Sequence, residues 1–166
     1  MDADDERDAR LTRAVELAAE ARARGDHPFG ALLVAPDGTV VEVLNSVLTD
    51  RDPTGHAETN LVRAAARRLE AGELAASVLY TSTEPCAMCS GAIYWAGIGT
   101  VVFALSSSAL TAIVEEQSRA AGRGDEAEPT LELSSRELFA RGGRTVTVVG
   151  PIEVPGGAEV HAGFWA

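Results

Sequence analysis

The chain has 166 residues, 46% of them hydrophobic and 23% charged, the balance of an ordinary soluble globular domain, and its length suits one domain spanning residues 1–166. Twenty-five acidic against fourteen basic side chains leave a net charge of −11. That excess argues against nucleic acid as a partner, because phosphate contacts carry most of such affinity.

The acidic start, Met1 to Glu6, lacks the basic and apolar regions of a signal peptide, and two cysteines at C-x-x-C spacing make no disulfide framework. A cytoplasmic location is therefore expected. Leu11, Ala14, Val15, Ala18 and Ala21 recur at helical spacing, predicting a helix over roughly Asp5 to Arg24 with Gly25 as its stop. Phe29 to Ala35 and Val40 to Leu44 are short apolar runs joined by Pro36-Asp37-Gly38, which predicts an antiparallel hairpin. Asn45 ends the second strand, and a loop rich in turn formers runs on to Gly55.

A helix is expected from about His56 to Ala71, with Leu61, Ala64, Ala65 and Leu69 inward and Gly72 as its stop. Arg63, Arg67 and Arg68 read as its solvated face. Val78 to Ser82 is a strand, and Pro85 suits the first position of the helix after it. No charged residue occurs from Pro85 to Val114, but glycines 91, 97 and 99 and serines 106–108 make this a buried helix, strand and helix start rather than a membrane span. Val101 to Leu105 reads as a buried strand, and Leu110, Ile113 and Val114 begin a helix that runs to about Arg119.

Ala120 to Pro129 is polar and reads as a mobile loop. Ser134 or Ser135 caps a short helix through Phe139, Val146 to Val149 is the last strand, and the tail from Pro155 has room for a short terminal helix before Phe164-Trp165. Strands alternating with helices predict a three-layer α/β/α sandwich around a mixed five-stranded sheet, with a parallel crossover before the last strand.

The chemistry concentrates in His56-Ala57-Glu58 and Pro85-Cys86-Ala87-Met88-Cys89. One imidazole and two thiolates suit Zn²⁺, and three protein ligands rather than four are the mark of a catalytic zinc centre, which keeps a position open for water. Glu58, two residues after the histidine, is placed to move that water's protons. His27 and His161 read as solvated or core histidines.

His56-Ala57-Glu58 followed by Pro85-Cys86-Ala87-Met88-Cys89 resembles the H-x-E…P-C-x-x-C signature of the cytidine/deoxycytidylate deaminase superfamily. The resemblance runs from Phe29-Gly30-Ala31 to Val101-Val102-Phe103, and Gly91-Ala92-Ile93-Tyr94-Trp95-Ala96 is most similar to guanine deaminases. It implies a cytidine deaminase-like fold and Zn²⁺ held by His56, Cys86 and Cys89, with Glu58 as the catalytic carboxylate.

It further implies that Asn45 bonds the substrate ring, Phe29 and Trp95 line it, and the Ala57 main chain touches its amine edge, although Trp95 could equally pack in the core. The expected reaction is hydrolytic deamination of a free nucleobase, guanine first, with a tRNA adenosine, cytosine, a nucleoside or a related amino-heterocycle as alternatives. A homodimer is expected, with C-terminal residues closing the pocket and Phe164 and Trp165 as candidates. The resemblance places one more acidic purine contact near Glu115, Glu116 and Gln117 without choosing among them.

Overall fold

The computed structural model describes residues 2–123 and 131–166. Leu11, Ala14, Val15, Ala18 and Ala21 form the buried stripe of α1 (Ala3–Arg24). Asp2 caps its start, and Gly25 ends it with φ 100°, a left-handed backbone that favours glycine.

β1 (Gly30–Val34) and β2 (Val40–Leu44) pair antiparallel as expected, Gly30 opposite Leu44 and Val34 opposite Val40. In the turn between them, Asp37 Oδ1 accepts the Thr39 N–H. A side chain at Gly30 would lie 2.5 Å from the Ala18 nitrogen, so glycine is what lets α1 settle on β1.

α2 (Ala57–Ala66) is shorter than the sequence suggests. The chain leaves the helix at Arg67 and restarts as α3 (Ala71–Ala76), because Glu70 and Glu73 form a reciprocal capping box. Gly72 therefore lies inside α3 instead of stopping α2. β3 (Val78–Thr83) leads to α4 (Ala87–Ala96), whose N-cap is Cys86. Pro85 thus precedes the helix and does not open it, a correction of two residues that places both sulfurs on the first turn.

β4 (Thr100–Leu105), α5 (Ser107–Ala120), α6 (Ser135–Ala140) and β5 (Thr147–Val149) follow, with Ser134 the cap of α6. Of the polar segment expected as a loop, Ala120 closes α5, 121–123 form a turn, and 124–129 lie outside the described residues. The tail ends in a single 3₁₀ turn, Glu159–His161.

The five strands run in the order β2-β1-β3-β4-β5, antiparallel from β2 through β3 and parallel from β3 to β5. Alternate residues serve the two faces. Ala31, Leu33, Leu79 and Val101 pack with Ala57, Leu61 and Ala65 of α2, Ile93 of α4 and Phe139 of α6. Leu32 meets Ala14 and Leu17 of α1, and Val102 and Ala104 meet Leu11 and Val15. The result is a mixed five-stranded sheet with helices on both sides. No described helix is long and apolar enough to cross a membrane.

Candidate active site

β3 delivers the chain to the N-terminus of α4, and the loop after β2 delivers it to the N-terminus of α2. Cys86 caps α4 and Cys89 follows one turn on; His56 caps α2, with Ala57 and Glu58 next. His56 Nδ1 stands 3.6 Å from Cys86 Sγ, and the ligating atoms of His56, Cys86 and Cys89 all lie within 4.8 Å of one another. Zinc bonds of about 2.3 Å to sulfur and 2.0–2.1 Å to nitrogen in a tetrahedron place such a pair about 3.5 Å apart, so the donors fit that ion. Among the described residues no fourth ligating side chain joins the group.

Helix N-termini favour negative charge. The two thiols divide their protons unequally. The Cys89 hydrogen bond and His56 bring Cys86 down to about 4 against the cost of burial, while the same Cys86 bond and burial push Cys89 up. His56 is raised in turn, chiefly by its bond to Cys86. Thr59 Oγ1 lies 3.3 Å from Cys89 Sγ.

Glu58 is buried, and Thr81 Oγ1 on β3 donates to its Oε1 at 2.6 Å. Burial raises the Glu58 pKa, and the Thr81 bond only partly offsets that. The carboxylate is thus held in one orientation in surroundings that favour proton uptake.

Asn45 and Phe29 are brought together: the Asn45 N–H donates to the Phe29 carbonyl at 3.1 Å. Asn45 Oδ1 accepts from the Val47 N–H, and its buried Nδ2 has no partner. Ala57 is fully buried. Trp95 is 82% exposed and edge-on to Tyr94, six residues and about 9 Å of helix axis beyond Cys89. It is therefore no core residue of this chain.

Three residues that hold the site escaped sequence reasoning. Asp26 accepts from the Leu48 and Thr49 N–H groups and the Thr49 hydroxyl, and binds Arg24, which donates to the Asn45 carbonyl at 2.7 Å. Glu84 accepts the N–H and hydroxyl of both Ser107 and Ser135, tying the starts of α5 and α6 to the cysteine turn. Thr81 is the third. A carboxylate next to Gly25 and one before Pro85 were the available signals, but apart from Arg24 their partners lie twenty or more residues away.

Phe164 and Trp165 dock within the same chain: Trp165 contacts the rings of His27, Phe29 and His161. Gln117, one of the three residues considered for a purine contact, has both ends engaged by the tail, donating to the His161 carbonyl and accepting from the Trp165 N–H. A cavity of about 570 Å³ lined by Glu84, Cys86, Ser107 and Glu115 reaches the cysteine turn. A larger one, about 620 Å³, lies between Ala104 and Glu159 and touches none of the site residues.

Sheet, helix N-termini, three-donor cluster and buried carboxylate define a metal-dependent hydrolase. Residues 5–105 match the family model of the cytidine and deoxycytidylate deaminase zinc-binding region, and the chain belongs to that family. It is 35% identical to a probable cytosine deaminase of Schizosaccharomyces pombe over 95% of this chain and 91% of that one. With the guanine deaminase of Bacillus subtilis it shares 47% identity over 57% of this chain, spanning 61% of that protein.

Among solved structures, the guanine deaminase of Nitrosomonas europaea superposes with a TM-score of 0.66 at 28% identity, covering 92% of this chain and 81% of that one. A tRNA:A34 deaminase superposes with a TM-score of 0.62 at 25% identity, covering 87% of this chain and 98% of that one. The tRNA-specific adenosine deaminase of Haemophilus influenzae is 40% identical over 56% of this chain and 54% of its own length. Deaminase chemistry and the zinc cofactor follow from the family.

Proposed function

We propose that the protein hydrolytically removes the exocyclic amine of a free nucleobase and releases ammonia. The observation that carries this reading is Glu58, buried and pinned by Thr81, beside a metal-ligating trio that lacks a fourth side chain. A zinc ion held by His56, Cys86 and Cys89 would supply a water acidified to near neutral pH. Glu58 would take one proton from the attacking water and hand it to a ring nitrogen as the oxygen adds to the amine-bearing carbon. It would then take the water's second proton and give it to the amine, which leaves as ammonia while the carbonyl forms. Asn45 offers Nδ2–H to the ring, the Ala57 main chain meets the amine edge, and Phe29 flanks the base.

Guanine is the first substrate to assay, on the likeness of Gly91 to Ala96 to guanine deaminases. Cytosine is a second reading, favoured because the S. pombe relative matches nearly end to end whereas the B. subtilis match covers 57% of the chain. A tRNA adenosine is less well supported, because the net charge is −11. Within this reading the enzyme is a cytoplasmic homodimer. Steady-state ammonia release from guanine, cytosine, adenine and their nucleosides tests it. Turnover of a free base supports the proposal; inosine formation on tRNA with no turnover of any base overturns it.

A further inference from the structure

His161 belongs to no part of the signature, yet it is among the largest fully buried side chains of the protein. Its segment is fixed from two sides. Arg22 of α1 donates to the carbonyls of Val160 and Ala162 at 2.7 and 2.8 Å, and Gln117 of α5 donates to that of His161 at 3.0 Å. The imidazole is thereby held in place, nearly parallel to the Trp165 ring and 5.4 Å from the ring of Phe29.

The proton on that imidazole can be located. Trp165 Nε1 lies 3.4 Å from His161 Nδ1, and an indole nitrogen only donates, so Nδ1 accepts and carries no hydrogen. Burial, and then the charge of Arg22, lower the His161 pKa to about 4, so the ring is neutral and its hydrogen sits on Nε2. That Nε2 is buried without a partner.

Asn45 Nδ2 is in the same condition, and Asn45 is bonded through its main chain to Phe29. Two unanswered N–H donors therefore belong to residues that meet Phe29, His161 at its ring and Asn45 at its main-chain carbonyl. Leaving a buried donor unpaired costs stability, and a site that binds a polar ring is one place where that cost is recovered.

We propose that His161 determines specificity: its Nε2–H donates to an acceptor of the substrate ring, a carbonyl oxygen or an unprotonated ring nitrogen, alongside the amide of Asn45. This deepens the nucleobase reading above and rests on it. The tail then does more than cover the base, because it reads one of its edges.

The experiment uses the zinc-loaded full chain and whichever of guanine or cytosine the wild type deaminates. His161→Phe keeps an aromatic ring and removes the donor; His161→Gln restores an N–H near the position of Nε2. The expected result is a KM raised about tenfold in His161→Phe with kcat little changed, most of it recovered in His161→Gln, and zinc content as in the wild type. A KM within twofold of the wild type in His161→Phe overturns the proposal and leaves the nucleobase reading standing. A wild type that deaminates neither base overturns both.

Should His161→Phe fail to fold, the ¹⁵N resonance of His161 Nε2 in the Glu58→Gln background gives an independent answer. It shifts when guanine or cytosine is added if the proposal holds, and it stays unmoved if the proposal is wrong.

Discussion

Thr81 Oγ1 donates to Glu58 Oε1 at 2.6 Å while also reaching the Thr83 carbonyl at 3.1 Å, so a strand hydroxyl sets the direction of the buried carboxylate. Thr81→Val keeps the shape and removes the donor. A hydrogen bond to a charged group is worth about 1.5–3 kcal/mol, so kcat should fall by about 10- to 100-fold with zinc still bound. Steady-state ammonia release together with metal analysis checks this; an unchanged kcat would show that Thr81 does not orient Glu58.

The proposed metal ligands give a second prediction. His56→Ala and Cys89→Ala should each reduce zinc from about one per chain to a trace and lower the melting temperature, because metal affinity contributes to folding. Metal analysis of the purified variants measures it. Full zinc occupancy in His56→Ala would refute the assignment of that ligand.

Asp26 gathers the Asn45 loop, and cutting that clamp should weaken both fold and binding. Asp26→Ala leaves the Leu48 and Thr49 N–H groups without their acceptor and frees Arg24 from its carboxylate. A loss of about 2–4 kcal/mol, or roughly 5–15 °C in melting temperature, is expected, with a raised KM because Asn45 is no longer anchored. Thermal melts and kinetics of the variant test it, and wild-type values for both would contradict it.

The pH dependence follows from the same groups. At Asp26, burial is outweighed by bonds from Thr49, Arg24 and Leu48, so its pKa falls from 3.8 to about 2. Glu84 is lowered too, burial again being outweighed by Ser107 and Ser135. A carboxyl with a depressed folded pKa contributes stability that is present above its unfolded value and lost as pH falls through the folded one. Melting temperature should therefore decline from about pH 4.5 toward pH 2, and less steeply in Asp26→Asn and Glu84→Gln. Thermal melts across that range decide the matter.

Trp95 at 82% and Met88 at 37% exposure sit seven residues apart on one side of α4. If this face joins two copies, the wild type sediments as a dimer and Trp95→Glu as a monomer. Sedimentation velocity separates the outcomes, and a monomeric wild type would exclude the dimer.

Much of this molecule could be read before its structure. Period and turn chemistry located the hairpin, and the short spacing within each motif placed His56, Glu58, Cys86 and Cys89 at two helix starts. The break after α2 was missed because its cause, the Glu70–Glu73 capping box, competed with an apolar pattern that ran on to Leu69. Pro85 misled by two residues, since Cys86 takes the capping position. His161 was unreadable for another reason: its burial depends on Gln117 and Arg22, residues 44 and 139 positions away, whose pairing only the folded sheet creates. Local chemistry is legible in a chain; the long-range clamps around Asp26, Glu84 and the tail are not.

The most direct test of the central claim is ammonia release by zinc-loaded Glu58→Gln compared with the wild type on the same free base. A loss of about 10²–10⁴-fold with zinc still bound is the predicted result, since the variant keeps the side chain's shape and removes its proton transfer. Turnover at the wild-type rate would contradict the account.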